Sequence, residues 1–272
     1  MKLVQLLEEG EPIWALTTLN KELFVHYEGN TDITVYDTET YKVRRSLRVP
    51  RLGGVSDMTS CKRYQCIYIS DWENEVVHRV DIENTITRWS VGDMPDGLSV
   101  NSVYNVLVTC YEKRKIKVFT SGGTVIRVIR LQSDVVNPFH SVELTTDKYI
   151  VCHGTGNDQL HRVCLVDSSG RVLKSYGGFP GSGSGQLNVP VRLAVYGELI
   201  LVTDRTNHRV LGLNQSLSYV GEVVTCLRDL SKIDQTFSNR MCFDENTSRL
   251  YVADNKDLND EYVSGHVTVY SM

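Results

Sequence analysis

The chain has 272 residues, of which 41% are hydrophobic and 23% are charged. This composition is typical of a soluble globular protein with a sizeable core, and the formal net charge of −4 provides no global attraction for nucleic acid or an anionic membrane. No apolar run approaches the ~20 residues of a membrane span, and the apolar run after Met1 is too short and too acidic for a signal peptide.

One apolar five-residue motif, here called the anchor, recurs along the chain. The copies are LFVHY at Leu23, IYISD at Ile67, VLVTC at Val106, YIVCH at Tyr149, ILVTD at Ile200 and LYVAD at Leu250. Their spacing of roughly 40–50 residues is the period of a four-stranded propeller blade. Both alternating faces of the anchors are apolar, as expected for strands buried on both sides.

Prolines give a second count of the same units. An apolar run leading to an anchor follows each of Pro12, Pro50, Pro95, Pro138 and Pro190, and the sixth unit has Asn239-Arg240 at this place. Proline is tolerated there because the first residue of a strand need not donate to the ladder. The two signals predict one all-β domain over residues 1–272, a six-bladed β-propeller of four-stranded antiparallel blades.

The expected blades span roughly residues 12–49, 50–94, 95–137, 138–189, 190–238 and 239–272. The sixth unit ends with three strands, so it lacks an outer one. We predict that residues 2–8 pair antiparallel with Val267 to Tyr270 and close the ring at the last blade. Partial burial of Leu3, Leu6 and Leu7 would then contribute roughly 1–2 kcal/mol each.

Polar bends follow the anchors. Asp71 and Asp204 each have an asparagine three residues later, Asn74 and Asn207. An Asp-x-x-Asn bend can close itself with side-chain to backbone hydrogen bonds. The sixth bend is expected over Asn255 to Gly265.

The stretch from Tyr176 to Asn214 holds the most complete unit. Its Gly-Gln-Leu, Pro190, Val-Thr-Asp and Asn-His-Arg-Val segments resemble the NHL repeat, with Leu187 where that family usually has Phe. The second unit, IYISDWENEVVHRVD, is similar to both NHL repeats and the YWTD repeats of lipoprotein-receptor propellers. Because the sequence shows no RING-type cluster, B-box or coiled-coil heptad, the resemblance is to the C-terminal propeller of TRIM-NHL proteins alone.

This resemblance implies a non-catalytic scaffold, with protein as the expected partner and single-stranded or hairpin RNA as the alternative. The candidate rim residues for binding are Arg48, Arg51, Lys113, Arg114, Lys115, Arg205 and His208. Because acidic side chains lie in neighbouring bends, this rim would attract the phosphates of RNA only weakly, which favours protein over RNA as the partner. We expect a monomeric propeller without membrane contact. Its seven cysteines, which form no Cys-x-x-Cys pair, are typical of buried thiols in a cytoplasmic protein.

A third hypothesis is a calcium-dependent channel hydrolase, as in six-bladed lactonases and phosphotriesterases. The innermost strands offer Asp57, Asn101, Glu143 and Asp244 as channel-facing candidates, and strand phase decides which of them face inward. The histidines show no ligand spacing, and the GSGSG loop precedes a strand rather than the helix of a phosphate-binding loop. We therefore expect no catalytic residue, no bound metal and no cofactor.

Overall fold

The computed structural model describes residues 2–157, 159–225, 235–258 and 261–272. These residues form six four-stranded antiparallel sheets and a single three-residue 3-10 helix, Arg205–Asn207. The predicted all-β, six-bladed propeller is confirmed. No helix in the described residues is long and apolar enough to cross a membrane.

In the first three blades, consecutive strands follow one another outward from the central channel. Blade 1 comprises β2 (Ile13–Leu19), β3 (Glu22–Tyr27), β4 (Asp32–Asp37) and β5 (Val43–Arg48). Blade 2 comprises β6 (Val55–Cys61), β7 (Cys66–Asp71), β8 (Val76–Asp81) and β9 (Ile86–Ser90). Blade 3 comprises β10 (Pro95–Val100), β11 (Val106–Cys110), β12 (Lys115–Phe119) and β13 (Val125–Arg130).

The next two blades repeat this order, and the last one includes the N-terminal strand β1 (Lys2–Gly10). Blade 4 comprises β14 (Pro138–Thr145), β15 (Lys148–His153), β16 (His161–Asp167) and β17 (Val172–Gly178). Blade 5 comprises β18 (Pro190–Tyr196), β19 (Leu199–Asp204), β20 (Arg209–Asn214) and β21 (Tyr219–Thr225). Blade 6 comprises β22 (Gln235–Asp244), β23 (Arg249–Leu258), β24 (Glu261–Ser271) and β1.

The N-terminal strand closes the ring as predicted. β1 pairs antiparallel with β24 as its outer neighbour, with Leu3 opposite Tyr270 and Leu7 opposite Val267. Leu3 nevertheless remains 56% exposed, so the expected burial is wrong for this residue, because an outer strand has no further sheet to cover it. The side chains of Leu6 and Leu7 lie outside the described part of the chain.

The bend expected over Asn255 to Gly265 is wrong. β23 continues to Leu258, and Asn255 pairs with Gly265 inside the ladder. The Asn255 side chain is buried and bonds the backbone of Ile13 instead of its own, accepting from N at 2.9 Å and donating to O at 3.0 Å. Asp260 of this expected bend lies outside the described residues, as does Asp158, the last residue of the polar bend expected after the fourth anchor.

The apolar cores lie between neighbouring blades. Along β19, Ile200 and Val202 pack into the core shared with blade 4, whereas Leu201 packs into the core shared with blade 6. The anchors are therefore buried on both faces, as their sequences predict. Full burial of one such side chain contributes roughly 1.5–3 kcal/mol, so the stacking of blades dominates the stability of the ring.

The six innermost strands surround the central channel, and each contacts its two neighbours in the ring. All of them begin at one face, which also carries the connections between blades and the bends at 28–31, 72–75, 111–114 and 205–208. We call this the bend face. The opposite face carries the tight turns between the first and second strands, such as 62–65 and 101–105, and we call it the hairpin face.

Candidate functional site

Every innermost strand carries a β-bulge next to the bend face. The register shifts fall between Ile13 and Ala15, Val55 and Asp57, Pro95 and Leu98, Pro138 and His140, Pro190 and Arg192, and Ser238 and Arg240. A bulge adds an unpaired residue and re-aims the side chains around it. Because the bulges lie at the same level along the channel axis, they form a ring of residues outside the regular strand pairing.

Blade 1 shows how the bulge works. Ile13 and Ala15 are two residues apart, yet they pack into cores on opposite sides of the blade. The side-chain alternation of a regular strand would place both on the same side. The additional residue between them, Trp14, faces a cavity at the end of the channel instead of either core.

This cavity opens on the bend face and has a volume of about 370 Å³; we call it the mouth. Bulge residues, bend residues, one residue of a blade connection and one residue of β23 line it together. Its described lining comprises Ile13, Trp14, Ser56, Trp72, Met94, Asp96, Tyr111, Phe139, Val191, Arg192, Arg205, Arg240 and Asn255. The mouth therefore combines aromatic and guanidinium groups within one concave surface.

The aromatic side chains are held by specific contacts. The rings of Tyr111 and Phe139 lie 5.4 Å apart between centroids, tilted by 51°. The Arg240 guanidinium lies 5.7 Å above the Trp14 ring, and its Nε donates to the Trp14 carbonyl. Trp72 lies directly over Gly54, where any Cβ would approach the indole Nε1 within 2.2 Å. Glycine is therefore required beneath this indole.

Two bends are held by buried carboxylates, which position Trp72 and Arg205 at the mouth. Asp71 precedes Trp72 and accepts from Asn74 N at 3.1 Å and from Asn74 Nδ2 at 2.8 Å. Burial opposes ionisation of Asp71, but hydrogen bonds led by that from His78 outweigh it and hold its pKa below the usual value. The predicted self-closing bend is confirmed at this position.

The fifth blade repeats the arrangement. Asp204 precedes Arg205 and accepts from Asn207 Nδ2 at 2.8 Å, and it also accepts from Asn188 N at 2.6 Å in the preceding blade connection. Arg209 completes the bend with a contact of 2.9 Å to the same carboxylate. The bend that carries Arg205 is therefore tied to the blade connection beside it.

A buried charge cluster lies below the mouth; it comprises Asp57, Asp96, His140, Arg192 and Arg240, and we call it the plug. Arg192 is only 2% exposed and donates to the Ser56 carbonyl at 2.7 Å and to Asp96 Oδ1 at 3.2 Å. Its Nε lies 3.5 Å from Asp57 Oδ1. One side chain of blade 5 thus reaches across the channel to blades 2 and 3.

The other members of the plug also bridge blades. Asp57 accepts from Leu98 N at 2.8 Å, and His140 Nε2 lies 2.9 Å from the Leu98 carbonyl. Burial lowers the pKa of His140 to about 4 although Asp57 opposes the shift, so the imidazole is neutral at pH 7 and Nε2 donates. Burial, reinforced by repulsion from Arg192, lowers the pKa of Arg240 to about 9. Burial raises the pKa of Asp96 against the attraction of Arg192.

A second cavity, also of about 370 Å³, lies on the hairpin-face side of the plug; we call it the hairpin cavity. Hydroxyl groups are prominent in its lining, contributed by Thr17, Thr18, Thr59, Ser60 and Ser99. Lys62, Glu143 and Glu245 are its peripheral charged residues. Arg192 lines both cavities, so the plug separates one from the other.

Two of the four channel candidates lie in the hairpin cavity, namely Asp57 and Glu143. The other two stabilise turns on the hairpin face. Asn101 Oδ1 accepts from the backbone N of Asn105 at 2.8 Å, and Asp244 accepts from Thr247 Oγ1 at 2.9 Å. In the described part of the chain, no group of three or more His, Cys, Asp or Glu is placed to hold a metal ion.

The rim candidates all lie at the bend face, although they are distributed around the ring. Arg48 and Arg51 are exposed between blades 1 and 2. In blade 3, Lys113 lies 3.9 Å from Asp93, and Arg114 donates to the Ser133 carbonyl at 2.9 Å.

The remaining three differ in their surroundings. Lys115 is half-buried at the start of β12. His208 is buried, with left-handed backbone at φ 54°. Of the seven rim candidates, Arg205 alone belongs to the described lining of the mouth.

Sequence reasoning missed most of the mouth and the plug. Asp96 and Phe139 directly follow Pro95 and Pro138, and Arg240 stands where the sixth unit lacks its proline. These mouth and plug residues are therefore located by one position of the repeat, the residue that directly follows the proline or its equivalent in each unit. This position faces the channel only because of the bulges, and the sequence does not show where the bulges lie.

No protein-family model matches the sequence, and no curated protein matches it. Solved structures resemble the fold. A catalytically inactive virginiamycin B lyase from Staphylococcus aureus with quinupristin gives a TM-score of 0.68 at 11% identity, covering 98% of this chain and 100% of that one. Hydrazine synthase of Kuenenia stuttgartiensis gives 0.64 at 20% identity, covering 90% and 76%.

A chain of a nidogen/laminin complex gives a TM-score of 0.61 at 15% identity, with 78% of each chain covered. At these identities the likeness shows the fold alone. The neighbours include both enzymes and a member of a protein complex, so the function has to be argued from the site.

Proposed function

We propose that this protein is a non-catalytic binding propeller that recognises a protein partner through its mouth. The observation that carries the proposal is the composition of the mouth, where Trp14, Trp72 and Tyr111 lie together with Arg205 and Arg240. Tryptophan, tyrosine and arginine supply most of the binding energy at protein interfaces, above all in concave, desolvated places. A propeller of similar fold in a nidogen/laminin complex supports protein recognition by such a scaffold.

The chemistry of the channel supports a role without catalysis. Asp57 and Asp96 are paired with Arg192, and the neutral His140 imidazole donates to the Leu98 carbonyl. A general base needs a free lone pair within hydrogen-bond reach of the substrate proton. The carboxylates of the plug instead neutralise a buried guanidinium, which is a structural task.

The charge of the bend face supports protein over RNA. Exposed Glu73, Glu75 and Glu112 lie in the same bends as Trp72 and Lys113. Acidic groups next to the basic ones lower the affinity of this surface for the phosphate backbone of RNA. That affinity depends on positive side chains that displace counterions from successive phosphates. The same surface suits a protein, whose own side chains carry both signs.

We further place the protein in the cytoplasm as a monomer. The six cysteines within the described residues carry free thiols, and five of them are buried. Free thiols are typical of a reducing compartment, which supports this placement.

The proposed binding face is tested by site-specific photo-crosslinking in cells. A benzoylphenylalanine at Trp72 should crosslink to protein partners, whereas the same group at Leu173, on an outer strand, should not. The two positions are matched in exposure, at 41% and 42%. Crosslinks that disappear with ribonuclease, or equal labelling from both positions, would contradict the proposal. Calcium-dependent hydrolysis of lactones or aryl phosphotriesters by the purified protein would replace it with an enzyme.

A further inference from the structure

We infer that the hairpin cavity is a second binding site, which takes an uncharged polyol of the size of a monosaccharide. The site is separate from the mouth, because the plug lies between the two cavities. All six innermost strands contribute to its lining, and the six turns that surround its open end all belong to the described residues.

Hydroxyl groups are the first feature that selects a polyol. Blades 1, 2 and 3 contribute five of them, from Thr17, Thr18, Thr59, Ser60 and Ser99. A hydroxyl group donates one hydrogen bond, accepts others and rotates to suit its partner. The Ser99 hydroxyl donates to the Ser141 carbonyl at 2.7 Å, so its lone pairs remain as acceptors. A ligand with several hydroxyl groups of its own can pair with such a lining on more than one side.

Backbone groups extend this polar lining. Each innermost strand is the terminal strand of its sheet, so its second edge faces the channel. At the level of the plug, side chains pair with part of this edge, since Asp57 accepts from Leu98 N and Arg192 donates to the Ser56 carbonyl. Beyond the plug, the edges reach the hairpin cavity, where water or a ligand has to pair with their N–H and C=O groups.

The charges of the described lining favour an uncharged ligand that carries hydroxyls. Asp57 lies 3.5 Å from Arg192, and Lys62 lies 3.9 Å from Glu245. Glu143 is half-buried in the same lining, and none of the ion pairs among the described residues includes it. Its two oxygens can accept from neighbouring hydroxyls of one ring, in hydrogen bonds that are stronger than those between neutral groups. A cationic ligand would also meet Lys62 and Arg192, whereas hydroxyls can pair with every polar group of the lining.

The open end of the cavity limits the size of the ligand and offers it an aromatic surface. Lys62 donates to Asn246 Oδ1 at 3.3 Å although blade 1 lies between their two blades, so this contact narrows the opening. Tyr104 is 43% exposed, and an edge-on contact with the Tyr64 ring at 6.2 Å holds its ring in place. The apolar C–H face of a sugar ring packs on such a surface. A volume of about 370 Å³ is at the small end of ligand pockets, as a monosaccharide requires.

The experiment measures the binding of glucose, galactose, mannose and myo-inositol to the purified protein, by saturation-transfer-difference NMR and by calorimetry. At least one of these polyols should bind. Thr59→Val removes a hydroxyl and keeps the shape of the side chain, so it should weaken binding about fivefold. Glu143→Gln should weaken it about tenfold, because a charge-assisted hydrogen bond is lost. Tyr104→Asn should weaken it as well, since asparagine tolerates the left-handed backbone at φ 65° but offers no ring.

Matched controls repeat two of these changes away from the cavity. Thr87→Val alters the outer strand of blade 2, Glu112→Gln alters the bend face, and both residues are exposed, so each variant should change affinity by less than about twofold. If none of the four polyols binds at millimolar concentration, or if none of the three cavity variants weakens binding, the site is overturned. Binding of glucosamine more than about tenfold tighter than of glucose would overturn the uncharged ligand.

The two sites are tested separately. Saturating polyol should leave the photo-crosslinks from position 72 unchanged, because the plug separates the hairpin cavity from the mouth. Loss of these crosslinks on addition of the polyol would place the ligand in the mouth and would overturn a second site. The reverse result, polyol binding without any crosslink from position 72, would leave the hairpin cavity as a binding site and contradict the proposed protein-binding mouth alone.

Discussion

The two ends of the central channel are built from the same six strands, but they differ in chemistry. The mouth carries Trp14, Trp72 and Arg240, whereas the hairpin cavity is lined by hydroxyls such as Thr59 and Ser60. At the hairpin end the ladder of blade 2 runs without interruption, with Thr59 opposite Tyr68 and Ser60 opposite Ile67. At the mouth every innermost strand is bulged.

The difference indicates that local backbone irregularity, rather than strand identity, decides where large recognition side chains can face the channel. A regular innermost strand directs its side chains alternately to its two neighbouring blades, where the cores already fill the space. The bulge supplies an additional residue that belongs to neither core. Each of the six innermost strands is bulged at the mouth, whereas at the hairpin end the described residues show one further register shift, in β14 between Glu143 and Thr145. The mouth is therefore the end suited to recognition by large side chains, and the plug isolates it from the other.

The largest effect is expected from removing the side chain that separates the two ends. Arg192→Met would leave Asp57 and Asp96 buried without their guanidinium, at a cost of about 3–5 kcal/mol in the free energy of unfolding. Urea denaturation followed by tryptophan fluorescence measures this loss.

Arg171→Met is the matched control, because the Arg171 side chain is 71% exposed and pairs with Asp167 at 3.2 Å on the surface. It should cost less than about 0.5 kcal/mol. A loss below about 1 kcal/mol for Arg192→Met would show that the plug does not hold the channel together.

Acid should destabilise the plug through its histidine. The folded-state pKa of His140 is about 4, below its ordinary value of 6.5. The unfolded chain therefore binds more protons between these values, so the stability present above pH 6.5 is lost as the pH falls toward 4. Protonation would place a positive charge beside Arg192 and Arg240, and Asp57 and the Leu98 carbonyl would offset this repulsion only in part.

The expected loss by pH 5 is about 2 kcal/mol for His140. His153, whose pKa burial together with Arg162 also lowers to about 4, should add a similar amount. Urea midpoints from pH 7.5 to 4.5 should fall steeply for the wild type, and His140→Gln should flatten part of the slope. An unchanged slope in His140→Gln would show that this histidine does not titrate in the window.

The sequence was sufficient for the fold because its signals are local and repeated. The anchors and prolines recur in every blade, and counting the strands of the last unit located the closing strand β1. The site depends on pairings between distant residues. Arg240 bonds the carbonyl of Trp14 across 226 positions, and no local pattern relates these two residues.

Clusters of basic residues in the sequence also do not locate the mouth. Lys113 and Arg114 are adjacent to Lys115 in sequence, but their side chains contact the blade connections before and after blade 3, respectively, and lie outside the described mouth lining. Arg205 is among the rim candidates, whereas Arg192 is not, since Arg192 lies within an apolar run of β18. A buried arginine in such a strand becomes visible only when its carboxylate partners from other blades are known.

A smaller effect is expected where blade 3 approaches blade 4 beneath the mouth. A Cβ on Gly97 would lie 2.4 Å from the Phe139 carbonyl oxygen and 2.7 Å from His140 Cα. Gly97→Ala must therefore displace backbone, and we expect a loss of about 1–3 kcal/mol. Because Phe139 also lines the mouth, photo-crosslinking of the partner from position 72 should weaken as well. Gly221→Ala, with nothing within 4 Å of its Cβ, is the control and should change neither quantity.

The smallest effect is expected at the hairpin end. Glu143→Gln removes one half-buried charge from the hairpin cavity, on the far side of the plug from the mouth. In the Glu143→Gln variant, the yield of photo-crosslinks from position 72 should stay within twofold of the wild-type yield, because solvent in the cavity and ions screen a charge on the far side of the plug. The melting temperature should also stay close to that of the wild type, since replacing a partly solvated carboxylate away from a paired network usually changes stability by less than about 0.5 kcal/mol. A change in crosslinking yield above fivefold would mean that the plug couples the two ends instead of isolating them, and the mouth would then be one part of a continuous channel.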